Sequence, residues 1–364
     1  MKAAMLQRFG GPLSIVEVTI DKPGPREVLV DTKACGICHS DLTVVNNDYG
    51  HPLPMVVGHE AAGVVAAVGS EVREFAVGDH VVACLMGFCG TCDRCLVGNR
   101  FLCRNPGFTQ RAADASPRLS FEGTPVGQSA DLGGFAEQML LHEHNLVKVN
   151  VDIPLDRAAL LGCGVITGAG AAINTASVRV GDTVAVIGCG GVGLSVLQGA
   201  ALAGAQTIVA IDIKPEKLEM AKRFGATHVV NATDGDPVAA VHDLIGGGAD
   251  HAFEALGTLK TSRQALDLVG PGGTAYMIGM QSPDATLELN PFLDLVLQKK
   301  SVRGVYMGST DFRTEIPRYA DLYLAGRFNL DDLVTERVSL WDVSDRLERL
   351  GKGTDAIRYV VTFP

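Results

Sequence analysis

Four cysteines stand at Cys89, Cys92, Cys95 and Cys103, the spacing C-x2-C-x2-C-x7-C, with glycines at 87, 90 and 98 that let a short loop fold back around one ion. Four thiolates fill a tetrahedral zinc shell and leave no open position, so the chemistry implied is structural: the ion fixes a loop and does not react. An iron–sulfur cluster is the rival, because the bacterial ferredoxin run shares the first three ligands. Here the fourth spacing differs, and Arg104 rather than proline follows Cys103. Unligated buried thiols are a third reading.

A second group is scattered along the chain. Gly36-Ile37-Cys38-His39-Ser40-Asp41 and Gly58-His59-Glu60 set a thiolate and an imidazole 21 residues apart, and Gly162-Cys163-Gly164 offers another thiolate far downstream. If these three meet, two thiolates, one imidazole and a water form an open zinc site that can polarise a substrate oxygen. Taken singly they read as a core cysteine, a polar loop histidine and a small residue at a turn.

Gly188-Cys189-Gly190-Gly191-Val192-Gly193 fits G-x-G-x-x-G between an apolar strand and a helix, so backbone amides and the helix N-terminus can meet a pyrophosphate. Asp212 lies 19 residues beyond Gly193 at the end of the next strand, where a carboxylate bonds ribose hydroxyls and repels a 2′-phosphate. That favours NAD(H) over NADP(H), with Lys214 as the one nearby charge of opposite effect. The alternative is a glycine turn that only packs helix against strand.

Length and pattern give the elements that carry these residues. The chain has 364 residues, enough for two domains at ~150 each. Its 47% hydrophobic and 20% charged composition is that of a globular α/β chain, neither disordered nor collagenous. The first 150 residues read as short strands, among them 28–30, 61–68 and 80–83, broken by Gly, Pro and Asn, with no long helix evident. From about residue 180 strand and helix alternate: strands at 183–187, 207–212, 228–230, 251–254 and 274–278, helices at 191–204, 215–224, 237–245 and 261–269. This is a parallel sheet covered on both faces. The tail ends in one more apolar strand, 359–363, without an evident partner.

The same pattern excludes several partners. Thirty-one basic against 41 acidic residues give a net charge of −10, with no surplus to neutralise a phosphate backbone, so nucleic acid is not expected. Residues 184–205 carry only Ser195 and Gln198 as polar side chains, yet six glycines break the run into strand, turn and buried helix, so no membrane partner is expected either. The first residues lack a signal-peptide core, which points to the reducing cytoplasm and makes nine cysteines metal ligands or core residues, not disulfides.

With these residues assembled, the sequence resembles the zinc-containing medium-chain alcohol dehydrogenases, in their longer, liver-type branch. The resemblance runs from the first strand to Phe363 and rests on Gly58-His59-Glu60-Ala61-Ala62-Gly63, Gly78-Asp79-His80-Val81, the four-cysteine loop, and Gly188 to Gly193 with Asp212, in the family's order. It implies an α/β fold: a GroES-like β-rich catalytic domain in two segments, 1–164 and 305–364, around a Rossmann doubly wound coenzyme domain, 165–304. Alcohol dehydrogenase is also the general example of an open Cys2His zinc site.

The resemblance further implies one catalytic and one structural zinc per chain, NAD(H), and reversible hydride transfer between an alcohol and NAD+ that gives an aldehyde or ketone. Cys38, His59 and Cys163 match the catalytic zinc ligands, and Glu60 a carboxylate behind the metal that can replace a ligand during water exchange. Asp41 matches the residue orienting the zinc-bound histidine. Ser40 matches the hydroxyl that takes the substrate proton. For the coenzyme, Asp212 and Lys217 match ribose contacts, His39 and Arg358 pyrophosphate contacts, and Thr167 and Val192 residues around the nicotinamide. Where liver-type members have a relay histidine three residues after the serine, this chain has Thr43, whose hydroxyl cannot store a proton near neutrality. A homodimer is favoured over a tetramer, through the long segment between Cys103 and Gly133 and a strand near residues 302–307. The rival activity is glutathione-dependent formaldehyde oxidation; the rival class is a non-catalytic zinc scaffold. Cys35 and Cys84 read as core, Cys189 as a small turn residue, and His142 and His144 as solvated.

Overall fold

The computed structural model describes residues 1–353 and 356–364. It forms two compact units, Met1–Cys163 with Asp311–Pro364, and Gly164–Thr310.

The spine of the first unit is the 11-residue strand Glu27–Ile37, far longer than the apolar triplet 28–30 suggests. Asp31, Thr32 and Lys33 interrupt the apolar run. Alternation still carries the strand through them, with Val28, Val30 and Ala34 facing the interior while Asp31 accepts a hydrogen bond from Gln138 Nε2 at 2.8 Å. Glu60–Val68 pairs along one edge, and on the other Gln138–His142 covers the first half. The second half pairs with the tail strand Arg358–Thr362, in the register Val360 to Gly36, which gives that strand its partner. Leu146–Lys148, His80–Ala83 and Val334–Val338 complete a seven-stranded sheet. A six-stranded sheet, built on Lys2–Leu6, lies within the same unit. Between them Leu6, Val30, Ile37, Ala61, Val65, Phe135 and Val361 form a buried core.

In the second unit six parallel strands stand in the order His228–Asn231, Thr207–Asp212, Thr183–Ile187, Ala249–Glu254, Val269–Met277, Ser301–Gly304. Numbered along the chain this is 3-2-1-4-5-6, the doubly wound order whose direction reverses between the first and fourth strands. The apolar run at 184–205 is strand, glycine turn and the helix Gly191–Ala203. Its glycines serve helix packing: a Cβ on Gly199 would stand 2.7 Å from the Ala169 carbonyl oxygen. No single helix among the described residues is long and apolar enough to cross a membrane. The second unit runs on to Thr310 because the Thr310 hydroxyl donates to the Ile166 carbonyl and Ser309 Oγ lies 2.8 Å from Thr175 Oγ1.

Candidate active site and metal centres

Cys38 caps the helix His39–Asn46 at the end of the spine strand. A capping box explains the turn: Asp41 Oδ2 accepts the Cys38 backbone N–H at 2.9 Å. Its other oxygen, Oδ1, lies 2.7 Å from His59 Nδ1, and the carboxylate is only 1% exposed. One carboxylate therefore fixes both the cysteine and the ring, leaving His59 Nε2 for a metal. His59 itself follows Gly58, whose φ is +99°; there a Cβ would meet the Phe135 nitrogen at 2.6 Å. Cys163 arrives from a 3-10 turn at Ala159–Gly162.

The result joins residues that the sequence scatters. Donor atoms of Cys38, His59, Glu60 and Cys163 lie within 4.8 Å of one another, and all four residues are buried. Ser40 Oγ stands beside them, 3.0 Å from Cys38 Sγ and 3.1 Å from His59 Nε2. The hydrogen bond from Cys163 holds the Cys38 thiol well below its ordinary range despite burial, while that same bond and burial hold Cys163 well above it. A divalent ion bound between the two sulfurs would favour the thiolate form of both. Burial lifts Glu60 to about 8 against the opposing charge of Arg358. For His59, burial disfavours the charge, but Asp41 and Cys38 outweigh it and raise the ring well above its usual value. Two sulfurs, an imidazole and a carboxylate fit zinc.

The four-cysteine loop makes a separate centre. Its sulfur atoms also lie within 4.8 Å of one another, with Cys89 to Cys95 at 3.9 Å, Cys92 to Cys95 at 3.5 Å and Cys89 to Cys103 at 3.6 Å. Zinc–sulfur bonds of 2.3 Å in a tetrahedron set the sulfurs about 3.8 Å apart, so the spacing fits one ion; a cluster would spread them around several irons. Backbone N–H groups point at the sulfurs, as Cys89 and Asn105 do toward Cys103 Sγ at 3.3 and 3.4 Å. Hydrogen bonds led by the Thr91 N–H bring Cys89 down to about 6, whereas burial pushes Cys95 up to about 12.

His142 and His144, expected in solvent, brace this loop instead. His144 stacks on Phe88 with ring centroids 4.3 Å apart, and its Nδ1 donates to the Phe88 carbonyl at 2.6 Å. His142 is buried beside it, and its Nδ1 accepts the His144 backbone N–H at 3.0 Å. Periodicity gave no warning, because their cover comes from Phe88 and Phe108, distant in sequence.

In the second unit the glycine turn opens the helix Gly191–Ala203 with no side chain capping it. A Cβ on Gly190 would meet nothing within 4 Å, so the turn leaves a cradle of backbone amides at the helix N-terminus, the arrangement that receives a pyrophosphate. Asp212 is held beside it: Oδ2 accepts the Cys189 N–H at 2.8 Å, and Oδ1 accepts those of Ile213 and Lys214 at 2.8 and 3.1 Å. Lys217 lies half-buried on the following helix. Thr167 is buried, its hydroxyl 3.5 Å from Met307 Sδ, a neighbour 140 residues away for which no local signal exists. Val192 is half-buried in the turn. Of the remaining expected residues, His39 is exposed, and the Thr43 hydroxyl donates to the His39 carbonyl at 3.1 Å. Arg358 is buried with its Nε 3.3 Å from Glu60 Oε2 and Nη1 donating to the Ile37 carbonyl.

The sequence profile described as an alcohol dehydrogenase GroES-like domain matches residues 24–151, and that described as a zinc-binding dehydrogenase matches residues 191–323. The chain is 39% identical to the NDMA-dependent alcohol dehydrogenase of Amycolatopsis methanolica, over 99% of this chain and 98% of that one. It is 35% identical to the S-(hydroxymethyl)glutathione dehydrogenase of Paracoccus denitrificans, over 100% and 99%. The crystal structure of benzyl alcohol dehydrogenase from Acinetobacter calcoaceticus superposes with a TM-score of 0.92 at 34% identity, covering 100% of this chain and 99% of that one. The chain belongs to the zinc-containing medium-chain alcohol dehydrogenases, oxidoreductases that carry zinc and move a hydride between an alcohol and NAD+.

Proposed function

We propose that Cys38, His59 and Cys163 hold the catalytic zinc, that Glu60 is the exchangeable oxygen donor behind it, and that Cys89, Cys92, Cys95 and Cys103 hold a structural zinc. The observation that carries this reading is the gathering of Cys38, His59, Glu60 and Cys163 within 4.8 Å. When bound, zinc supplies Lewis-acid polarisation of the substrate oxygen, and NAD+ accepts the hydride. Asp41 keeps the His59 ring in one orientation and one tautomer. Ser40 Oγ, 3.0 Å from Cys38 Sγ, is near enough to take the proton of an alcohol seated beside that sulfur. The Thr43 hydroxyl donates to the His39 carbonyl, and release of the alcohol proton falls to water or to a base other than Thr43. Arg358, 3.3 Å from Glu60 Oε2, favours the carboxylate form of Glu60 against its burial. In the coenzyme unit the Gly188–Gly193 turn takes the pyrophosphate, Asp212 and Lys217 the ribose, and Thr167 and Val192 the nicotinamide. His39 and Arg358 remain candidates for pyrophosphate contact.

The test is elemental and kinetic. Cys163→Ala keeps one of two zinc ions and loses turnover; two ions with full activity would remove Cys163 from the ligand set. A screen of primary, secondary and aromatic alcohols for NADH formation defines the substrate, and formaldehyde with and without glutathione separates alcohol oxidation from the activity named for the Paracoccus relative.

A homodimer and a cytoplasmic setting complete the proposal. The strand Ser301–Gly304 is an edge strand, and Phe292, Leu293, Val296 and Tyr306 beside it in sequence are 60%, 58%, 66% and 54% exposed, an apolar face suited to a second copy. Six of the nine cysteines are gathered in the two donor clusters and the other three are buried free thiols, which favours a reducing compartment.

A further inference from the structure

Glu254 ends the fourth strand of the parallel sheet, at the point where strand order reverses, and in the register it stands opposite Ile187, the residue before the glycine turn. It is fully buried. Its Oε1 accepts three hydrogen bonds, from the backbone N–H groups of Leu256 and Gly257 at 2.9 and 2.8 Å and from the Thr261 hydroxyl at 2.8 Å. Its backbone carbonyl accepts two more, from the N–H groups of Ile278 and Gly279 at 2.9 and 3.1 Å. One residue thus ties together the turns that leave two neighbouring strands. The turns press closely around it: a Cβ on Gly279 would stand 2.1 Å from the Gly257 nitrogen and 2.7 Å from Glu254 Oε2. That second oxygen is buried without a hydrogen-bond partner among the described residues. A carboxylate kept in such a place is costly for the fold, which calls for a function that offsets the cost.

The turn that Glu254 holds reaches the coenzyme loop through Leu256. A Cβ on Gly188 would lie 2.7 Å from Leu256 Cγ, and the Ala255 N–H donates to the Ile187 carbonyl at 3.0 Å. Leu256 and Met280, one on each turn, remain 50% and 49% exposed. In doubly wound sheets the ligand lies outside the carboxyl ends of the strands at this reversal. Leu256 therefore forms the lip facing the glycine turn, and Met280 extends the apolar wall.

We propose that Glu254 is a positioning residue for NAD(H): its carboxylate fixes the 255–258 turn so that Leu256 seats the first glycine of the phosphate loop and walls the coenzyme crevice. Thr258 caps the helix Leu259–Leu268 and bonds the Thr261 hydroxyl at 2.7 Å, so the carboxylate sets the start of that helix as well. The inference rests on the glycine turn being the coenzyme site, and its test keeps the two apart.

NADH binding is measured by fluorescence titration of the zinc-loaded enzyme, alongside kcat, KM for NAD+ and the alcohol, zinc content and thermal midpoint. Glu254→Ala weakens NADH binding by about tenfold and raises KM for NAD+ similarly, while kcat at saturating coenzyme, KM for the alcohol and both zinc ions change by less than about threefold. Glu254→Gln keeps the acceptor oxygen and restores binding to within about threefold of wild type. Leu256→Ala, a change at a half-exposed side chain, weakens NADH binding by about threefold without moving the thermal midpoint, and stands as the test if Glu254→Ala does not fold. Wild-type NADH affinity in Glu254→Ala, or in Leu256→Ala where Glu254→Ala does not fold, overturns the positioning role. Gly190→Val fills the cradle itself: if it leaves NADH binding intact the coenzyme-site reading falls, and if it abolishes binding while the Glu254 and Leu256 variants bind normally only the present inference falls.

Discussion

At the scale of residues, Asp41 is the hinge between backbone and chemistry, since one oxygen caps the helix that starts at Cys38 and the other orients His59. Such outer partners of a metal-binding histidine typically contribute 10- to 100-fold in metal affinity. Asp41→Ala should accordingly weaken zinc binding at one of two sites by about that factor, measured by competition with a chromophoric chelator, and leave the four-cysteine site at its wild-type affinity. Ser40→Ala should separate proton transfer from metal binding: kcat falls by about 10²-fold or more with two zinc ions retained, whereas Ser40→Thr keeps a hydroxyl and most of the rate. Near-wild-type turnover in Ser40→Ala would assign the proton to ambient water.

At the scale of elements, the loop carrying Cys89 is braced by a histidine pair that must stay neutral. Burial, with the repulsion that a protonated His144 would add and the charge of Arg26, pulls His142 from 6.5 down to about 3. Since the folded value lies below the unfolded one, this contribution is whole above pH 6.5 and is lost as pH falls toward 3, because the unfolded chain takes up a proton that the folded chain refuses. His142→Gln should therefore flatten the loss of stability between about pH 7.5 and about pH 5, by up to about 2 kcal/mol in urea unfolding followed with zinc present. An unchanged slope would free His142 from this role. In the second unit the strand Thr207–Asp212 ends on the carboxylate beside the Gly190 cradle, and Asp212→Gly should narrow the preference for NAD+ over NADP+, read from kcat/KM for each.

At the scale of the whole molecule, the chain carries two centres of different character. In the proposed ligand sets four thiolates close one shell, whereas Cys38, His59 and Cys163 leave a place for an oxygen, so a chelator should strip one ion with activity and the second only as the protein unfolds. Loss of both in step would argue against two independent centres. The exposed apolar face beside Ser301–Gly304 predicts a dimer in sedimentation at working concentration, and Phe292→Asp should shift it toward monomer.

The sequence by itself determined whatever is local. The four-cysteine loop spans fifteen positions, so spacing alone foretold that its four sulfurs gather, and the G-x-G-x-x-G turn with Asp212 was legible because strand, turn and helix follow one another without interruption. The alternating pattern after residue 180 likewise gave the parallel sheet, since each βαβ unit writes its own period. Tertiary structure decided what depends on contacts between distant segments. Cys163 joined Cys38 and His59 only when the turn at Ala159–Gly162 was folded beside the spine strand, and the 359–363 strand found its place on that strand's free edge. His142 and His144 left solvent because Phe88 and Phe108 cover them, and Glu254 became a hub because two turns meet on its carboxylate and carbonyl. Hydrophobic period and motif spacing report a residue's neighbours along the chain; burial and convergence are set by neighbours across it.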